Sequence, residues 1–160
     1  MAIYYDMCID CGQDRPLAER LFEHFAAFTI EIPKHAPVQC TSYSKIERNI
    51  SFVGVFPRGM GIGTLPASEH RPELIDDDLT MIIRQSLYNE LRGHLGFQRA
   101  VFGSECWDWL AMSEDARDDV SIDHKLMIFS TAANYTIPPE CIVEPWIDGC
   151  QIVTASRYGL

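Results

Sequence analysis

No apolar run in the 160 residues approaches the roughly 18 needed for a membrane span. The opening MAIYYDMCIDCG lacks a basic region leading into a long apolar stretch, so no secretory signal is expected and the cytoplasm is the expected compartment. Basic residues are scarce: 13 Lys and Arg stand against 23 Asp and Glu, for a formal net charge of −10. Affinity for phosphate comes from lysine and arginine, so nucleic acid and anionic membrane are poor candidates for direct partners, and basic partners are good ones.

Catalytic and cofactor signatures are missing as well. There is no H-E-x-x-H, no Gly-Lys-Ser/Thr and no G-x-S-x-G. RGMGIGT (58–64) has the glycines of a phosphate loop, but Leu65-Pro66 follows where a dinucleotide fingerprint requires a helix. His24, His35, His70, His94 and His124 form no spaced ligand pair. FGSECW places Ser104 and Cys106 beside Glu105 without any feature that activates either. No catalytic residue, cofactor or metal is assigned on this basis.

The chain does contain six cysteines: Cys8, Cys11, Cys40, Cys106, Cys141 and Cys150. In a reducing compartment they are expected to be free, small and buried. Cys8 and Cys11 make a C-x-x-C, but no second C-x-x-C or H-x3-5-H completes a zinc site. A redox pair needs its first cysteine at a helix N-terminus, whereas Cys8 falls within a predicted strand. The pair is expected to be chemically inert.

The length suits a single domain over 1–160, and seventeen aromatic residues argue for an ordered core. AIYYDMCID alternates as a half-buried strand, with Ile3, Tyr5, Met7 and Ile9 on one side. A helix follows over RPLAERLFEHFAAF, capped by Asp14, with Pro16 in its first turn and an apolar row of Leu17, Leu21, Phe25 and Phe28. FTIEI suggests a short strand, and VQCTSYS (38–44) and ISFVGVF (50–56) read as strands joined by KIERN. Residues 57–72 are rich in Gly and Pro and read as a long loop.

DDDLTMIIRQSLYNELRGH is the clearest helix. Leu79, Ile83, Leu87, Leu91 and Leu95 form its apolar row, widened by Ile82 and Tyr88, and Gly93 or Gly96 can end it. FQRAVFG, KLMIFS, CIVEPWI and CQIVTAS complete a set of strands. The expected fold is α+β, a mostly antiparallel sheet packed against two main helices.

The acidic charge is concentrated. Residues 105–123 (ECWDWLAMSEDARDDVSID) hold seven acids and one arginine. This segment reads either as a solvated loop with Trp107 and Trp109 tucked into the core, or as a partner-binding face. On the second reading the acids steer a basic partner and the tryptophans supply contact energy. The candidate contacts are Glu105, Trp107, Asp108, Trp109, Glu114, Asp115, Asp118 and Asp119.

In size, charge, α+β plan and the stretch FQRAVFGSECWDWL, the chain resembles the immunity proteins of bacterial polymorphic and contact-dependent toxin systems. That resemblance implies a non-enzymatic protein that neutralises one toxin, such as a basic nuclease, by occluding its active site. No single residue carries over, because the group is diverse in sequence and fold. The alternative is an enzyme or small-ligand domain with Arg58, His70 and Arg71 around an anionic ligand beneath the 57–72 loop. The oligomeric state is left open by the sequence.

Overall fold

The computed structural model describes residues 3–59, 61–62, 77–104, 106, 127–131, 137, 139, 141–147 and 149–155. In chain order the elements are β1 (Ile3–Asp10), α1 (Arg15–Ala26), β2 (Thr29–Ile30), β3 (Val38–Glu47), β4 (Ile50–Pro57), β5 (Gly61–Ile62), α2 (Asp77–Leu91), β6 (Arg99–Ser104), β7 (Met127–Ser130), β8 (Cys141–Ile147) and β9 (Cys150–Ala155). The strands run β2-β3-β4-β1-β6-β7-β9-β8 across one sheet, with β5 also pairing to β1. Every pairing is antiparallel. The α+β architecture expected from the sequence is the one observed.

Local chemistry explains the boundaries. Gly12, at φ 58°, turns the chain out of β1, and its amide donates to Asp10 Oδ1 at 2.8 Å. Asp14 then caps α1, its Oδ1 accepting from the Leu17 amide at 2.9 Å, and Pro16 occupies the first turn, where an N–H is not needed. The β3–β4 link is tighter than KIERN suggests. Both strands extend into it, leaving Arg48 and Asn49 as the turn with φ 48° and 66°. Two positive-φ residues make the mirror-image turn whose twist matches that of the flanking strands.

The helices lie together on one face of the sheet. Leu17, Leu21 and Phe25 of α1 and Ile83, Leu87 and Leu91 of α2 share one buried cluster with Met7, Ile9, Val53, Val55, Ala100 and Ile128 of the strands. A smaller cluster on the other face joins Cys8, Phe52, Val101, Cys106, Met127 and Val153, with Ile137 and Cys141 packed against it.

Several expectations are corrected. β1 is not half-buried: it sits between β4 and β6, and Asp6, Cys8 and Asp10 on its second face are buried, as Met7 and Ile9 are on the first. FTIEI contributes only two residues of strand. The 57–72 region is not loop throughout, since Gly61 and Ile62 pair with Tyr4 and Ile3; 63–72 lies outside the described residues. α2 stops at Leu91, so Leu95 falls beyond the apolar row and is 49% exposed, and Ile82 is also exposed. Gly96, at φ 113°, adopts a conformation that side-chain-bearing residues disfavour, while Gly93 lies in the turn just after the helix. The edge strand β8 exposes Ile142 and Val143, but Pro145 and a register shift beside it blunt that edge against further pairing.

Candidate functional site

The sheet carries buried charge at its centre. Asp10 of β1 stands directly opposite Arg99 of β6, and Asp6 lies on the same face of β1, two residues beyond Cys8. Arg99 and Asp6 are wholly buried and Asp10 nearly so. Isolated charges in such a place cost several kcal/mol each, so placing opposite charges on one face offsets a penalty that neither could bear alone. The carboxylates also organise backbone. Asp10 holds the Gly12 amide, and Asp6 Oδ1 accepts from the amide of Cys106 at 2.9 Å in a buried bond between residues a hundred positions apart.

That bond fastens the chain where the acidic segment begins. The proposed contacts Glu105, Trp107, Asp108, Trp109, Glu114, Asp115, Asp118 and Asp119 lie outside the described residues. The segment's two ends are described. Val101 and Met127 are register partners on neighbouring antiparallel strands, and Cys106 is buried against the sheet. Neighbouring antiparallel strands are commonly joined by about two to five residues. Here residues 105–126 intervene, so the acidic stretch is an insertion between two strands already held together.

The two cysteines of the C-x-x-C pack into different clusters, Cys8 into the smaller one and Cys11 into the helix-side one. All six cysteines are free and five are buried, only Cys141 being partly accessible. Burial, reinforced by Asp6 and Asp10, pushes the Cys8 thiol up. Burial likewise raises Cys11, with Asp10 and Asp14 adding to it, and Cys40, each to about 12. Cys106 rises through burial and then Asp6.

Two outcomes are expected. A thiol reagent added to the native protein should modify Cys141 first and the buried thiols only on unfolding. For Cys11 and Cys40 the folded values exceed the ordinary 9.0, so their contribution to stability is complete below pH 9 and is lost as pH rises toward 12. Denaturant midpoints across that range should fall, and rapid native-state labelling of Cys8 or Cys11 would contradict the burial.

A second polar cluster lies at the helix ends. His24, in the last turn of α1, places Nε2 2.7 Å from Oε1 of Glu90 near the end of α2. His94 follows α2 in a turn closed by its own amide on the Leu91 carbonyl at 2.9 Å, and its ring centroid lies 4.3 Å from that of His24. Phe25 meets His24 edge-on and Phe28 lies roughly parallel to it. Burial and the neighbouring His24 lower the His94 pKa, with Arg20 adding to this and Glu90 opposing it. The Glu90–His94 spacing is visible in the sequence as one helical turn, but nothing local indicates that His24 would join it.

Of the residues considered for an anionic ligand, Arg58 is exposed just past β4, its amide bonded to the Gln39 carbonyl, while His70 and Arg71 lie outside the described residues. A shallow groove between α1 and the β3–β4 hairpin mixes Arg15 and Lys45 with Glu19 and Glu23 and so favours neither sign of charge. No helix among the described residues is long and apolar enough to cross a membrane. No family model, curated protein or solved structure matches the chain.

Proposed function

We propose that this protein is an acidic inhibitor of a basic protein toxin, of nuclease type, and that residues 105–123 form the inhibiting surface. The observation that carries this reading is the insertion of a strongly acidic, tryptophan-containing stretch between β6 and β7, with its start fastened by the buried Cys106–Asp6 hydrogen bond. Strands already paired do not need such a connection, and long connections on a rigid scaffold are where binding residues concentrate.

Carboxylates of Glu105, Asp108, Glu114, Asp115, Asp118 and Asp119 would occupy a cleft built for phosphate. Trp107 and Trp109 would anchor the complex by desolvated contact area. Long-range attraction speeds encounter and is screened by salt, whereas the anchors govern dissociation.

The test is co-expression and stopped-flow binding with a basic nuclease domain encoded beside this gene. The wild-type chain should protect cells from that domain. Reversing Asp115, Asp118 and Asp119 to Lys should slow association and flatten its salt dependence while leaving folding intact. Trp107→Ala or Trp109→Ala should instead speed dissociation by about tenfold or more. Unchanged association and salt response in the triple variant would reduce the segment to a solvated loop.

A further inference from the structure

We propose that His24, Glu90 and His94 form a binding site for a divalent transition metal, with Zn2+ as the best fit. The donor atoms of the three side chains all lie within 4.8 Å of one another. Around a tetrahedral zinc with bonds of about 2.0–2.2 Å, ligand atoms sit about 3.3–3.5 Å apart. The His24–Glu90 pair, at 2.7 Å, needs to open by less than about 1 Å, and His94, within 4.8 Å of both, needs to close by at most about 1.5 Å.

Those adjustments fall on side chains, because the backbone beneath them is held. Phe25 beside His24 and Leu91 beside Glu90 are wholly buried, and the turn bearing His94 is hydrogen-bonded back onto α2 through the Gly93 and His94 amides. Two imidazoles and one carboxylate suit zinc, cobalt or nickel, whereas calcium and magnesium prefer all-oxygen sets. Phe25 and Phe28 pack against the His24 ring, so one side of the site is apolar.

The opposite side is open. The His24 and Glu90 side chains retain 34% and 36% of their exposure, enough to admit an ion and leave a fourth position for water. Coordination through His24 Nε2 moves that ring's proton to Nδ1 and exchanges the hydrogen bond to Glu90 for shared ligation of the ion. Because His24 comes from α1, Glu90 from α2 and His94 from the turn that follows α2, binding cross-links the C-terminal ends of the two helices. The site shares no residue with the acidic segment, and its occupancy is independent of the toxin-inhibitor reading.

The experiment is titration of chelator-treated full-length protein with Zn2+ against a chromophoric competitor, followed by Co2+ spectroscopy and thermal melting. One ion per chain should bind, and a hundredfold excess over Kd should raise Tm by about 5 °C or more. His24→Ala and His94→Ala should each weaken binding by at least about tenfold, since even an outer neighbour of a metal ligand is worth about that much. Co2+ should give the visible bands of a tetrahedral nitrogen–oxygen site without thiolate charge transfer. His94→Asn and Glu90→Gln, at partly exposed positions, provide the same measurement should His24→Ala fold poorly. Absence of binding, binding retained in the folded variants, or a thiolate band from Cys141 or another cysteine would each overturn the assignment.

Discussion

Arg99→Met is expected to destabilise the protein by about 3–5 kcal/mol, the usual penalty for removing one partner from a buried set of charges. Methionine nearly fills the volume, so the loss isolates charge rather than creating a cavity. Asp10, directly opposite, and Asp6 on the same face would remain buried beside the central strand without the guanidinium. Urea unfolding measures the effect.

The pair Arg99→Met with Asp10→Asn should recover a substantial part of the loss, because the second change removes a charge that the first leaves uncompensated. A single variant within about 0.5 kcal/mol of wild type, or strictly additive effects in the pair, would show that these groups do not depend on one another.

Leu87→Ala is expected to cost about 2–5 kcal/mol. Leu87 is fully buried between Ile83 and Leu91 on the face of α2 that meets the sheet, in the same cluster as Phe25 of α1 and Phe102 of β6. The loss combines transfer free energy with a cavity that rigid strands cannot close. The midpoint should fall with an unchanged denaturant slope. A change below about 0.5 kcal/mol would mean that the helix is wrongly phased.

A large part of the architecture was legible because it rests on short-range rules. Asp14 and Pro16 mark the start of α1 through the geometry of a helix terminus, and the i,i+4 recurrence of Leu79, Ile83, Leu87 and Leu91 marks the buried face of α2. Alternation in β1 separated Met7 and Ile9 from Asp6, Cys8 and Asp10 correctly. Where local rules met competing signals they lost resolution. The apolar Leu95 continues the helical row in sequence but follows the end of α2, and the β3–β4 turn contracted because Arg48 and Asn49 accept positive φ.

The amino-acid sequence by itself thus determined most of the elements and the concentration of acid in 105–123, since each depends on residues near one another in the chain. Only the tertiary structure decided that β1 is central. A strand reads as half-buried from its own pattern, and its second face is covered only through neighbours it acquires from distant segments. The same long-range assembly set Asp10 opposite Arg99, tied Cys106 to Asp6, and brought His24 within reach of Glu90 and His94. Such pairings carry no periodicity along the chain. They arise from strand register and from the packing of α1 beside α2, which no window of local sequence encodes.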